Sequence, residues 1–306
     1  MRAVLRQRGA FRWALFWSLL LWHLAILTGF SHGDIHEQIE ALTRQIAEHP
    51  DHAGLLLKRG DLHRIHGQSA EALKDLDRAS NIDPALKTVG LVRGKVLLDS
   101  NQPALAQTAL NRFLAQVPNH VDGLVTRARV LIKLGENAKA VDDLSRAISN
   151  SPRPDPQLYL DRANLLRGLN PPRFAEALLG LNEGIEKLGP LVSLELPAME
   201  LEVLETKYDA ALQRLERLAA KASRKETWLV RRAETLTKAG RLGEASQTYA
   251  AALKAIQTLP DGLRNQPATR DLEVNVRTAL AATTRDSASD LQSASRLNAI
   301  VRNPQP

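Results

Sequence analysis

The chain has 306 residues, no cysteine, a net charge of +7 and only 4% aromatic residues. The lack of cysteine excludes disulfides, thiolate metal sites, a cysteine nucleophile and a cysteine-linked lipid anchor. Abundant Ala and Leu, without alternating β-branched runs or Asn-Gly turns, predict an all-α protein.

Residues 1–33 have the pattern of a signal peptide. Four arginines precede an apolar stretch of eighteen residues, Trp13 to Phe30, and Ser31-His32-Gly33 places small residues where a signal peptidase tests them. Cleavage after Gly33 is the preferred interpretation. The alternative is an uncleaved N-terminal membrane anchor, since eighteen apolar residues just suffice to cross a bilayer. Either interpretation predicts an exported protein of the periplasm or envelope.

The high net charge comes largely from this segment. Residues 1–33 carry four arginines and no acid, so residues 34–306 carry only +3. No nucleic-acid partner is therefore predicted. Membrane contact is predicted only through an uncleaved N-terminal segment.

Residues 34–52 form a predicted N-terminal capping helix. Their apolar stripe has helical spacing and consists of Ile35, Ile39, Leu42 and Ile46. Asp34 is the predicted N-cap, with Glu37 completing a capping box. As an alternative, cleavage after Gly33 would leave Asp34-Ile35-His36 as a free terminus able to bind Cu(II) or Ni(II).

A period of 34 residues dominates the next part of the chain. Four columns share this spacing: Pro50, Pro84, Pro118 and Pro152; Gly60, Gly94 and Ala128; Ala72, Ala106 and Ala140; Leu76, Leu110 and Leu144. The small residues let two helices approach closely, the leucines fill the space between them, and the prolines end the second helix.

These columns resemble the tetratricopeptide repeat, whose pattern is Trp-x2-Leu-Gly-x2-Tyr, then Ala-x3-Phe, Ala and Pro. The first unit offers Leu56, Arg59-Gly60, His63, Ala72, Leu76, Ala79 and Pro84. The second and third units match the same positions. The fourth and fifth units are looser, the fifth with a one-residue slip in its first helix, and a clear sixth unit extends the resemblance to about residue 259. The resemblance implies an α-solenoid, a right-handed superhelix of helix-turn-helix repeats.

The predicted organisation is five to six repeats over residues 53–259, a C-terminal capping helix over 260–285 and a disordered tail over 286–306. Capping helices are expected because a terminal repeat otherwise exposes an apolar face.

In each of five units, an arginine directly precedes the small residue: Arg59, Arg93, Arg127, Arg162 and Arg232. We predict that these arginines pair with acids of the second helix, such as Asp75 and Asp143. The alternative is an arginine ladder that binds an anionic ligand.

Seven of the eight histidines precede residue 67. His63 and His66, three apart on one helix, suggest a metal site to which His49 and His52 would contribute. The register favours structural roles, because His63 occupies the family's Tyr position. No metal and no cofactor is therefore predicted, with weak metal binding as the alternative.

The resemblance also implies that a protein or peptide partner binds in the concave groove of the first helices. By register, that groove presents seven polar residues: Asp61, Arg64, Lys95, Arg129, Lys133, Asn164 and Arg167. A basic, partly apolar groove suits an acidic partner. Because no catalytic motif is found, we predict a non-enzymatic adaptor, with a membrane-anchored assembly subunit as the alternative.

Overall fold

The computed structural model describes the backbone of residues 32–302 and the side chains of residues 34–286. Fifteen α-helices and no β-strand occur in this part of the chain. They form two compact units that divide after Asn150. The predicted all-α solenoid fold is confirmed.

Unit 1 contains seven helices. They are α1 (His32–Glu48), α2 (Ala53–Ile65), α3 (Ser69–Ile82), α4 (Thr88–Asp99), α5 (Pro103–Gln116), α6 (Val121–Lys133) and α7 (Asn137–Asn150). Helix α1 packs on α2, and α2–α3, α4–α5 and α6–α7 are antiparallel pairs joined by short turns.

Unit 2 contains eight helices. They are α8 (Pro156–Gly168), α9 (Phe174–Leu188), α10 (Val192–Leu204), α11 (Tyr208–Lys221), α12 (Glu226–Lys238), α13 (Leu242–Gln257), α14 (Asp261–Arg264) and α15 (Pro267–Arg302). The pairs here are α8–α9, α10–α11 and α12–α13, and α15 packs against α13.

Each column of the 34-residue period has its expected structural role. Helices α1, α3, α5 and α7 all end two residues before the repeating proline. A Cβ atom at Gly60 would lie 3.3 Å from the Cγ of Leu76, and one at Gly94 would lie 2.5 Å from the Cγ of Leu110. The small residues are therefore required by the close approach of the two helices in each pair.

The turn within five of the six helix pairs uses one residue in the left-handed region, and the α8–α9 turn is the exception. Gly67, Gly135 and Gly240 have φ between 73° and 80°, and Asn101 and Thr206 adopt φ values of 56° and 57° at the equivalent positions. Asn tolerates this conformation, whereas the β-branched Thr206 is strained in it.

Two boundaries differ from the sequence expectations. Helix α15 runs to Arg302, so the backbone of residues 286–302 is helical and not a disordered tail. No proline or glycine interrupts the chain between Pro267 and Pro304. Helix α1 begins at His32, before the predicted N-cap. Asp34 instead lies in the first turn, where the helix dipole favours it, and accepts a hydrogen bond from Gln38 Nε2 at 3.1 Å.

Residues 1–31, which include most of the predicted signal peptide, lie outside the described residues. From residue 32 to residue 302, no helix combines the length and the apolarity needed to cross a membrane.

Candidate functional site

Bidentate arginine–aspartate pairs join the two helices of two repeats. The Nε and Nη2 of Arg59 each donate to one carboxylate oxygen of Asp75 at 2.7 Å. Arg127 and Asp143 repeat this geometry with the same two distances. Both aspartates are buried, and the hydrogen bond to Asp75 raises the pKa of Arg59 despite its desolvation. The predicted pairing is confirmed at these two positions.

Three of the five predicted arginines also reach the second helix of the preceding unit, through Nη1. The contacts are Arg59–Thr43 at 3.0 Å, Arg93–Asp77 at 2.6 Å and Arg127–Asn111 at 2.9 Å. Ala109 stands where Asp75 and Asp143 stand in their repeats, so Arg93 finds its carboxylate on the preceding helix instead. The three arginines thus brace successive repeats, because each contacts a side chain of the preceding second helix.

Histidines of unit 1 also have structural contacts. His63 Nδ1 lies 2.6 Å from Gln68 Oε1, and its Nε2 lies 3.9 Å from Asp75 Oδ2. His52 and His120, two periods apart, each accept a backbone N–H at the start of a first helix, at 3.3 and 3.2 Å. These caps were missed in the sequence, although the 34-residue register relates the two histidines. Within the described residues, no three metal-ligating side chains are grouped to hold a metal ion.

The first-helix face of unit 1, formed by α2, α4 and α6, carries five of the predicted partner-binding residues. Arg64 pairs with Asp61 at 2.7 Å on its own helix and with Asp99 of α4 at 3.0 Å. Lys95 of α4 pairs with Asp122 of α6 at 2.6 Å. The expected basic character of this face is therefore largely neutralised by Asp99 and Asp122, which sequence reasoning left out.

The basic charge that remains on this face belongs to α6. Arg129 is exposed and forms no ion pair within the described residues, and Lys133 Nζ contacts only the neutral Asn101 Oδ1, at 3.2 Å. Ile132 lies between them in the sequence and is 41% exposed. Spacings of three and four residues put these three side chains on one helical face. We name Arg129, Ile132 and Lys133 the α6 patch.

The first-helix face of unit 2 contains the other two predicted residues. Asn164 is exposed on α8, and Arg167 Nη1 lies 3.7 Å from Glu200 Oε2 of α10. Arg167 and Glu200 line a hollow of about 310 Å³ between α8, α10 and α12. Its lining also includes Arg231, Glu234, Lys238 and the half-exposed Leu204. The hollow combines three cations, two anions and an apolar wall.

A buried polar network joins α10 to α11. Here the arginine lies on the second helix of the pair and the carboxylates lie on the first, the reverse of the Arg59–Asp75 arrangement. Arg214 of α11 donates to both oxygens of Glu202 at 2.6 and 3.0 Å, and it also contacts Glu195. Asn182 of α9 accepts from the same guanidinium at 2.9 Å. Sequence reasoning missed this network. Its signal is two glutamates seven residues apart within an apolar helix, which places both on one buried face.

The sequence profile of the tetratricopeptide repeat family matches residues 91–159 and 205–260. No curated protein matches the chain.

Solved structures with similar folds include a complex of Naa15 and Naa10 bound to HypK-THB. It has 16% identity and a TM-score of 0.53, with 89% of this chain and 40% of that chain covered. A tetratricopeptide repeat protein from Parabacteroides merdae ATCC 43184 has 18% identity and a TM-score of 0.45, with 80% and 93% covered. YrrB, a tetratricopeptide repeat protein with an unusual peptide-binding site, has 21% identity and a TM-score of 0.48, with 58% and 90% covered.

Identities at this level concern the fold alone. The family match, together with the 34-residue register and its paired helices, establishes the identity of the repeats: the chain contains tetratricopeptide repeats, which the family profile matches at residues 91–159 and 205–260.

Proposed function

We propose that the protein is a non-enzymatic adaptor of the bacterial envelope that binds a segment of a partner protein on its first-helix faces. The observation that carries this proposal is the α6 patch, in which two cations without carboxylate partners flank an exposed isoleucine. An extended or helical segment with an acidic and an apolar residue matches that chemistry.

The neutralised part of the unit 1 face supports a binding role that is local to α6. Arg64 and Lys95 already have carboxylate partners, so an acidic ligand would have to displace Asp61, Asp99 or Asp122 to use them. Arg129 and Lys133 offer their charges without that competition. We therefore assign to them a larger share of the partner's electrostatic attraction than to the other predicted residues.

The hollow of unit 2 supports a second contact of the same kind. Arg167, Arg231 and Lys238 exceed the two glutamates of the lining by one charge, and Leu204 is 50% exposed beside them. A lining with charges of both signs favours a short segment whose own charges alternate, because each charge of the segment then meets an opposite charge of the lining.

The envelope setting rests on residues 1–33, whose basic start, apolar stretch and small residues match a signal peptide. The second candidate is a membrane-anchored assembly subunit, which the eighteen-residue apolar stretch favours. Mass spectrometry of the mature N-terminus distinguishes the two. A start at Asp34 supports cleavage, whereas an intact segment in a detergent-extractable fraction supports the anchor.

Charge reversal at the α6 patch tests the adaptor function. Protein purified from the native envelope with the substitutions Arg129→Glu and Lys133→Glu should lose a partner that the unchanged protein recovers. The matched control is Lys74→Glu with Arg112→Glu, which makes the same charge change at exposed positions of the second helices α3 and α5. Unchanged recovery by the α6 double variant would exclude the patch as the binding surface.

A further inference from the structure

A second hollow of unit 2 lies at the turn between α11 and α12 and the start of α15. It measures about 600 Å³ and is lined by residues of unit 2 alone. Its polar lining includes Lys221, Arg224 and Thr269, and its apolar lining includes Trp228 and Leu272. These residues come from three different helices and the turn between two of them.

The charge of this hollow has one sign. Lys221 and Arg224 are cationic, and the lining contains no carboxylate. Glu226, which is 2% exposed and lies outside the lining, accepts a hydrogen bond from Arg224 Nε at 2.5 Å. Among the described residues, Arg224 makes no other hydrogen bond. The buried glutamate thus fixes the guanidinium through Nε and leaves its terminal nitrogens available to a ligand.

Thr269 adds a hydroxyl to the lining of the hollow. The residue is 4% exposed and lines the hollow. Its backbone N–H bonds to Gln266 O at 3.0 Å, but its Oγ1 makes no hydrogen bond within the part of the chain that the structure describes. Because Thr269 lines the hollow, its hydroxyl is available to bond a ligand oxygen there.

The apolar wall is anchored in the core of unit 2. Trp228 packs against a buried cluster that includes Met199 and Leu215, and it also lines the hollow. Leu272 packs against the neighbouring cluster around Tyr249. A ligand here would therefore meet a fixed apolar surface beside the two cations.

These features favour a carboxylate over a phosphate. The first turn of α15 begins with Pro267, which lacks an N–H group, and the N–H of Thr269 is already bonded. The helix end thus offers few free amides to cradle a phosphate. A guanidinium, an ammonium and one hydroxyl suit the two oxygens of a carboxylate, and Trp228 and Leu272 suit an apolar group next to it.

We propose that this hollow binds a carboxylate carried next to an apolar side chain. Such a group occurs in a small apolar acid and at the C-terminus of a protein chain that ends in an apolar residue. The site shares no residue with the α6 patch and does not depend on the adaptor function.

Fluorescence of Trp228 provides the test. The chain has four tryptophans, and the other three are Trp13, Trp17 and Trp22. Changing those three to Phe in the full-length protein leaves Trp228 as its single reporter. We expect a saturable change on titration with N-acetyl-leucine and about tenfold weaker binding of N-acetyl-leucinamide, which lacks the charge. Absence of saturation, or equal binding of the amide or of inorganic phosphate, would overturn the proposal.

Two variants locate the binding site. Arg224→Gln should weaken N-acetyl-leucine binding about tenfold, whereas Lys254→Gln, a charge-matched change on α13 outside the hollow, should not. Thr269→Val should weaken binding but leave the melting temperature of the free protein unchanged, because the hydroxyl that it removes makes no hydrogen bond within the described residues. Binding that survives both Arg224→Gln and Thr269→Val would contradict the site.

The source of the carboxylate is resolved by one more comparison. A hexapeptide ending in leucine with a free carboxylate is titrated beside N-acetyl-leucine and the amidated peptide. Tighter binding of the free peptide supports a protein C-terminus as the ligand. Equal binding of the free peptide and N-acetyl-leucine supports a small apolar acid.

Discussion

Removal of Asp75 should destabilise unit 1 through the charge that it leaves behind. Asp75 is 5% exposed and accepts two bonds of 2.7 Å from Arg59, whose side chain is 17% exposed. Breaking a fully buried ion pair by removing one partner costs about 3–5 kcal/mol. Arg59 keeps its bond to Thr43 and some access to water, so we expect Asp75→Ala to cost about 2–3 kcal/mol.

The assay is urea unfolding followed by far-ultraviolet circular dichroism, with Asp77→Ala as the control. Asp77 also pairs with an arginine, but its side chain is 64% exposed, so its removal should cost less than about 1 kcal/mol. In an Asp75→Ala background, Arg59→Met should restore part of the lost stability, because it removes the unpaired charge. If Asp75→Ala cost no more than Asp77→Ala, the arginine brace would be refuted as a source of stability.

Three further predictions concern unit 2. Thr206→Gly should raise the free energy of unfolding by about 0.5–1 kcal/mol, because Gly adopts φ of 57° without strain; a lower urea midpoint would contradict this. Arg214→Met should cost about 3–5 kcal/mol by leaving two buried glutamates without their cation, and a loss below 1 kcal/mol would show that they do not need it. Burial is the main cause that raises the pKa of Tyr159 and Tyr249 above the ordinary 10.0, so their neutral forms stabilise the fold. That stability is fully present below pH 10 and is lost as the pH rises through their folded pKa, which tyrosinate absorbance and circular dichroism recorded together would detect.

The local and periodic features of the fold were predictable from the sequence. A 34-residue period fixes which residues share a position in successive helix pairs, and this was enough to predict the pairing of Arg59 with Asp75. It also predicts the helix ends, because each repeating proline stops a helix two residues earlier.

Features that depend on how neighbouring helices meet were not predictable in the same way. Asp99 and Asp122 neutralise Arg64 and Lys95, and each aspartate lies on a different helix from its cation. The two members of each pair also occupy different positions in the 34-residue register. The sequence predicted a basic face, whereas the basic charge that remains unpaired on the unit 1 face belongs to the α6 patch. Ala109 likewise leaves Arg93 without a carboxylate in its own repeat, and its contact with Asp77 depends on how α4 packs against α3.

The candidate sites also combine features that the sequence predicts with features that depend on how the helices pack. The register indicated the first-helix residues, but the α6 patch required knowledge of which charges are already paired. The hollow beside Trp228 joins residues 221–228 to residues 266–272, a separation that no short motif records. The availability of its Thr269 hydroxyl is visible only when every hydrogen bond around it is known.

Photo-crosslinking tests the adaptor function most directly. A benzoylphenylalanine placed at Ile132, in the α6 patch, is compared in cells with one placed at Leu105, an apolar residue of α5 that is 56% exposed. We expect an adduct with a partner protein from position 132, which is lost with Arg129→Glu and Lys133→Glu, and none from position 105. Equal adducts from both positions, or an adduct from position 105 alone, would contradict it.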